Sequence, residues 1–151
     1  MDWLPTLMAG LGLPAVATAI GVAWRARTGR LRETPAGELR AETDAAALDL
    51  SPGALGSSAT LVQFSTEYCS RCPATARQLA RVAARYDGVR HVEVDVTHRA
   101  DLAGRFHVLQ TPTTLILDAR GHASARIGGV PRLDAVQEHL DRLTRRTHVA
   151  S

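Results

Sequence analysis

Residues 61–73 read LVQFSTEYCSRCP, from Leu61 to Pro73. A compact apolar run, Thr60 to Phe64, leads directly to two cysteines, Cys69 and Cys72. Such a run fits a buried strand. Beyond the cysteines, Leu79, Val82, Ala83 and Tyr86 recur at helical spacing, with Arg77, Arg81 and Arg85 as the opposite stripe. That stripe reads as a solvated face. The stretch therefore predicts a strand, a turn carrying both thiols, and a helix to about Tyr86.

The same reading extends outward. Asp87-Gly88 ends the helix, and Val89 to Val96 (VRHVEVDV) is rich in strand formers. Ala100 to about Phe106 suits a short helix, and Thr113 to Leu117 is a second apolar strand. Arg120-Gly121 is a turn, Ala125 to Ile127 a short strand, and Gly128-Gly129 a break. Leu133, Val136, Leu140 and Leu143 mark a last amphipathic helix. The first β-α-β unit calls for parallel strands, and the last two strands for an antiparallel hairpin. An α/β fold follows, a mixed sheet with flanking helices.

A thiol at a strand-to-helix junction meets unpaired backbone N–H groups and the positive end of the helix dipole. Both favour the thiolate, the reactive form. Two intervening residues bring the second sulfur within disulfide reach. Cys69 is thus the expected attacking thiol and Cys72 the resolving one. Arg71, between them, adds positive potential. A zinc site needs about four ligands in most structural cases. There are only two Cys, and His91, His98, His107, His122, His139 and His148 lack the close spacing of a zinc finger. No metal and no cofactor is expected. A purely structural disulfide gains little from so short a loop.

Composition narrows the class. The chain has 151 residues, 45% hydrophobic and 22% charged, enough apolar material for a core. The net charge is +3, but from Glu33 onward fourteen Arg balance fourteen Asp and Glu. The excess is one cluster, Arg25, Arg27, Arg30 and Arg32, so no nucleic-acid partner is expected. The chain has no lysine, which excludes Schiff-base chemistry.

Trp3 to Trp24 reads WLPTLMAGLGLPAVATAIGVAW and carries no charge. At ~1.5 Å per residue, 22 residues reach about 33 Å, enough for a ~30 Å hydrocarbon core. Its two terminal Trp suit the membrane interfaces. Ala15-Val16-Ala17 also fits a signal-peptide cleavage site, but only Asp2 and the α-amino group precede the apolar run. The expected organisation is a transmembrane anchor over 1–24, a charged juxtamembrane linker over 25–45, and a folded domain over 46–151. Leu39 to Leu50 within this organisation holds either a first edge strand or a short helix. The arginine cluster after the span predicts a cytoplasmic domain.

With LVQFSTEYCSRCP (61–73), Thr111-Pro112-Thr113 heading a strand, and Gly128-Gly129 before the last helix, the chain resembles the thioredoxin family over roughly residues 55–146. The tethered arrangement is similar to membrane-anchored thioredoxin-like proteins. The resemblance implies a thioredoxin-like fold after one N-terminal transmembrane helix. It also implies a cis Pro112 beside the cysteines, with Thr111 and Pro112 pairing to an extended substrate strand. The expected partners are a protein disulfide or dithiol substrate, an electron donor of unknown identity, and the membrane through residues 3–24.

The departures are specific. Tyr68 stands where the family carries Trp, and Ser70-Arg71 replaces Gly-Pro between the cysteines. Arg77 replaces a helix-kinking Pro. Gln63 takes the place of a buried Asp, and Glu93 that of its Lys partner. Gln cannot accept a proton, whereas Glu can, so Glu93 is a candidate base; its other reading is a solvated strand residue. Glu67 matches a family residue and reads otherwise as a surface charge. The expected function is membrane-anchored thiol–disulfide exchange. Two alternatives stay open: an outward-facing reductase of the cytochrome-maturation type, and a non-catalytic adaptor with idle cysteines.

Overall fold

In the computed structural model the described residues are 14–24, 26, 28–34 and 43–149. Residues 14–24 form a helix, α1, exposed along its whole length. Then follow β1 (Leu31–Glu33), α2 (Asp44–Ala47), a 3-10 turn (Pro52–Ala54), β2 (Ala59–Ser65), α3 (Cys72–Ala83), β3 (Val89–Asp95), α4 (Ala100–Arg105), β4 (Thr113–Asp118), β5 (Ala123–Gly128) and α5 (Leu133–Val149). The five strands lie in the order β1-β5-β4-β2-β3. β2 and β3 are parallel, and the other pairs are antiparallel.

All seven residues of β2 are buried because both faces of the sheet are covered. Ala59 and Leu61 face one way and pack with Leu79 and Val82 of α3 and Val136 and Leu140 of α5. Val62 and Phe64 face the other way, toward Leu48, Leu102 and Phe106. The Phe64 and Phe106 rings stack tilted at 5.6 Å. A strand apolar on both sides reads as one continuous run, which is why Thr60 to Phe64 is plain in the sequence.

Register sets where the loops go. Phe64 lies opposite Thr113, Thr113 opposite Gly128, and Leu31 opposite Ile127. The end of β2, the start of β4, the end of β5 and the start of β1 therefore share one end of the sheet. The cysteine loop, the Pro112 loop and the Gly128-Gly129 loop all open there.

Several expectations need correction. The helix after the cysteines stops at Ala83 rather than Tyr86. Arg85 N–H donates to the Val82 carbonyl and Tyr86 N–H to that of Ala83, so i→i+3 bonds tighten the chain out of the helix. The stretch 25–45 is not a plain linker. Leu31–Glu33 pairs with β5, and α2 begins at Asp44, inside that stretch. Thr43 caps α2 by accepting from Ala46 N–H at 3.1 Å, and Asp44 accepts from Ala123 N–H at 2.7 Å. Both contacts dock this segment on the domain. Between Leu39 and Leu50 the element is thus a short helix, and residues 35–42 lie outside the described residues. Among the described residues no helix is long and apolar enough to cross a membrane. The expected span 3–24 lies partly outside them, in residues 3–13.

Candidate functional site

β2 delivers the chain to the cysteines through two tight turns. Cys69 N–H donates to the Thr66 carbonyl at 3.0 Å, and Cys72 N–H to that of Cys69 at 3.1 Å. The two residues are disulfide-bonded, with Cα atoms 5.4 Å apart. Cys72 is the first residue of α3 and Arg71 its N-cap; Pro73 follows, where helical donors are spare anyway. Cys69 is half-buried, whereas Cys72 is only 2% exposed. One sulfur-bearing residue is thus offered to solvent and the other is sealed beneath it. Arg71 is exposed at the helix mouth.

Under Cys72 lies Gln63, fully buried on the α3 face of β2. Its Nε2 donates to the Cys72 carbonyl at 3.1 Å and to Glu93 Oε1 at 3.5 Å. Gln63 and Glu93 are opposite each other in the parallel β2–β3 register, so they share that face. Glu93 is exposed and meets the site through this amide. Gln63 Oε1 and Thr114 Oγ1, from residues opposite each other in the β2–β4 register, are both buried and without a hydrogen-bond partner. The floor of the site is therefore polar but carries no buried charge. His91, two residues before Glu93, is held below its ordinary pKa of 6.5 by burial, which the Glu93 charge opposes.

The loop ahead of β4 is the second wall. The Thr111-Pro112 bond is cis, as the family resemblance implies. Thr111 Oγ1 lies 3.4 Å from Thr66 Oγ1, which joins this wall to the turn that holds Cys69. Behind it, Gly129 N–H donates to the Pro112 carbonyl at 2.8 Å, and Gly29 N–H to that of Gly128 at 2.8 Å. Gly29 and Gly129 have φ of +77° and +85°. A Cβ on Gly29 would stand 2.5 Å from the Val130 carbonyl oxygen, so no larger residue fits there without movement.

Tyr68 and Leu109 stand out from this end of the molecule, 83% and 94% exposed, and Val130, which follows Gly128-Gly129, is 37% exposed. The neighbouring Glu67 carboxylate raises the Tyr68 pKa. Glu67 N–H donates to Thr97 Oγ1 at 3.0 Å, tying the cysteine loop to the end of β3. Among the described residues no three His, Cys, Asp or Glu side chains gather as metal ligands would.

The structure brings together Cys69, Cys72, Thr111 and Pro112, reaches Glu93 through Gln63, and leaves Arg71 at the rim. Sequence reasoning missed Thr66, Gly29 and the apolar rim. Thr66 is separated from Thr111 by 45 positions, and no local pattern links them. Gly29 gave one faint signal, a turn residue inside a charged stretch.

Comparison with known proteins agrees with this arrangement. A family model described as Thioredoxin matches residues 54–142. A thioredoxin of Mycoplasma pneumoniae is 25% identical over 77 residues, 51% of this chain and 76% of that protein. In fold the chain is similar to a mutant thioredoxin from Halobacterium salinarum, with a TM-score of 0.51 and 20% identity over 58% of this chain and 75% of the other. It is likewise similar to a thioredoxin from Nicotiana alata, with a TM-score of 0.50 and 25% identity over 58% and 74% of the two chains.

Proposed function

We infer the function of this chain from the premise that it belongs to the thioredoxin family, whose model spans its cysteine loop and both flanking strands. It is a thiol–disulfide oxidoreductase, and its redox centre is the Cys69–Cys72 pair. The observation that carries the mechanism is the unequal burial of the two residues: Cys69 half-exposed, Cys72 sealed.

In the reduced protein the Cys69 thiolate attacks one sulfur of a substrate disulfide. A Cys69–substrate disulfide forms and the other substrate sulfur leaves as a thiolate. The Cys72 thiol then attacks Cys69 sulfur, closing the intramolecular disulfide and releasing the second substrate sulfur. Two electrons pass to the substrate, and the Cys72 proton ends on a substrate sulfur. Thr111 and Pro112 receive the substrate backbone beside Cys69. Arg71 favours the Cys69 thiolate, and Glu93, which Gln63 links to the Cys72 backbone, is the candidate base for the Cys72 proton. Cys69→Ser abolishes reduction of insulin disulfides, and Cys72→Ser accumulates a mixed disulfide on non-reducing gels. Normal turnover by both variants would refute this assignment.

The finer reading adds an anchor. Residues 3–24 hold the protein in a membrane, and the arginines after it keep the domain on the cytoplasmic side. What supports this is α1 itself, whose Val16, Ile20, Val22 and Trp24 side chains are exposed with no partner surface from the domain over them. Partition into the carbonate-washed membrane fraction tests the anchor. Protection of the reduced cysteines from an impermeant thiol reagent in whole cells tests the side; rapid labelling would place the domain outside.

A further inference from the structure

Anchor and redox centre leave the domain at the same end. Thr28 N–H and Oγ1 both bond the carbonyl of Trp24, at 3.1 and 2.8 Å, so Thr28 continues directly from the end of α1. Gly29 bonds the Gly128 carbonyl, Gly129 bonds Pro112, Thr111 meets Thr66, and Thr66 holds Cys69. An unbroken series of contacts runs from the last turn of α1 to the attacking sulfur's backbone. β1 then carries the chain away from this end, Leu31 opposite Ile127 and Glu33 opposite Ala125.

The connection is too short to let the domain turn round. From Trp24 to Gly29 the chain spans at most ~17 Å. A domain of this size is about 34 Å across. The surface agrees with the topology. Among the described residues outside α1, the exposed large hydrophobic side chains are Tyr68, Leu109 and Val130, all at the end where the disulfide opens. An apolar rim with a tyrosine suits the lipid headgroup boundary, where one part of the side chain is apolar and the other wet.

Resting on the anchored exchange reading above, we propose that the disulfide faces the membrane and serves cysteine pairs held at the membrane surface by integral membrane proteins, not freely diffusing ones. The substrate is a disulfide within a few residues of a spanning segment. It reaches Cys69 in the gap between the rim and the headgroups, where the short connection keeps the domain. The exchange is the one already written, the substrate disulfide being reduced as the Cys69–Cys72 dithiol is oxidised.

Two measurements on the full chain in phosphatidylcholine vesicles test it. In the first, a fluorophore is placed on Cys69 in Cys72→Ser, or on the introduced thiol of Arg120→Cys with both native cysteines changed to Ser. Arg120 is in the β4–β5 turn at the far end of the sheet. With nitroxide headgroup lipids, quenching at position 69 should exceed that at 120 by about threefold. Equal quenching, or stronger quenching at 120, overturns the proposal while leaving the anchor intact. A chain that does not float with the vesicles overturns the anchor, and this proposal with it.

The second compares two spanning polyleucine peptides carrying the same disulfide loop. In one the loop adjoins the span, and in the other it stands on a helical (EAAAK)-type spacer of ~45 Å. The pre-reduced protein should reduce the adjoining loop about tenfold faster. Equal rates overturn the substrate assignment, and failure to reduce either loop or insulin overturns the exchange reading itself.

Discussion

Gln63 holds two neighbours with one amide, the Cys72 carbonyl at 3.1 Å and Glu93 at 3.5 Å, in a place no solvent reaches. A neutral side chain there spares the site the cost of a buried charge. Gln63→Glu changes almost no volume but adds an acid, whose pKa would be raised by burial and by Glu93. A raised folded-state pKa means the folded state binds the proton more tightly than the unfolded one. Stability is then lost as pH climbs above the unfolded value of about 4.3. Urea unfolding should show Gln63→Glu close to the parent at pH 4 and weaker by about 2–4 kcal/mol at pH 8; equal losses at both would mean position 63 is not sealed. His91 has the opposite character. Burial lowers its pKa below 6.5, so the unfolded chain takes up the proton first. The stabilisation is complete above pH ~6.5 and is lost as pH falls through the folded value. The urea midpoint of the parent should drop between pH 7.5 and 5, and His91→Gln should flatten that part of the profile.

At the scale of elements, α3 and the turn after it carry Arg77, Arg81 and Arg85 on one exposed stripe, and none of these side chains makes a hydrogen bond or ion pair with a described residue. Like charges four apart weaken a helix by about 0.2–0.5 kcal/mol per pair. Within α3 only Arg77 and Arg81 form such a pair, and Arg77→Glu, with the acid N-terminal to the cation and away from the last turn, replaces that repulsion by an attraction, so the helix should gain about 0.4–1 kcal/mol. A thermal melt should rise by several degrees at low salt, and the gain should shrink in 0.5 M NaCl. The stripe was legible in the sequence because helical period is a local property. So were β2, whose two covered faces make Leu61, Val62 and Phe64 an apolar run interrupted only by Gln63, and the cysteine–helix junction. Pro112 was found beside the cysteines only because a family resemblance linked two stretches some forty residues apart. β1 was not legible: a strand of three residues shows no alternation, and only the partly buried Leu31 packs against the core. The end of α3 escapes the sequence for a related reason, since Tyr86 keeps the helical apolar spacing while its backbone has already turned.

Across the whole molecule, the N-terminal chain is fastened to the domain by two kinds of contact of unequal strength. Glu33 accepts from Arg142 Nη2 at 2.6 Å, and Arg142 also donates to Glu138 at 3.0 Å, but both carboxylates are well exposed. Such exposed pairs typically contribute about 0.2–1 kcal/mol, less in ordinary salt. Gly29 is the stronger fastening. Its φ of +77° disfavours any side chain, and a Cβ would press on the Val130 carbonyl at 2.5 Å. Gly29→Ala should therefore cost about 1–3 kcal/mol, against a few tenths for Glu33→Ala. The loss should be local before it is global, because β1 is an edge strand with one neighbour. Hydrogen exchange should quicken at Leu31–Glu33 in Gly29→Ala while the amides of β2 remain the slowest in the protein. In vesicles the same variant should narrow the difference in quenching between positions 69 and 120, since the domain would hang from a longer free stretch. If exchange at β1 is unchanged and the quenching difference survives, the orientation of the domain is not set by this junction.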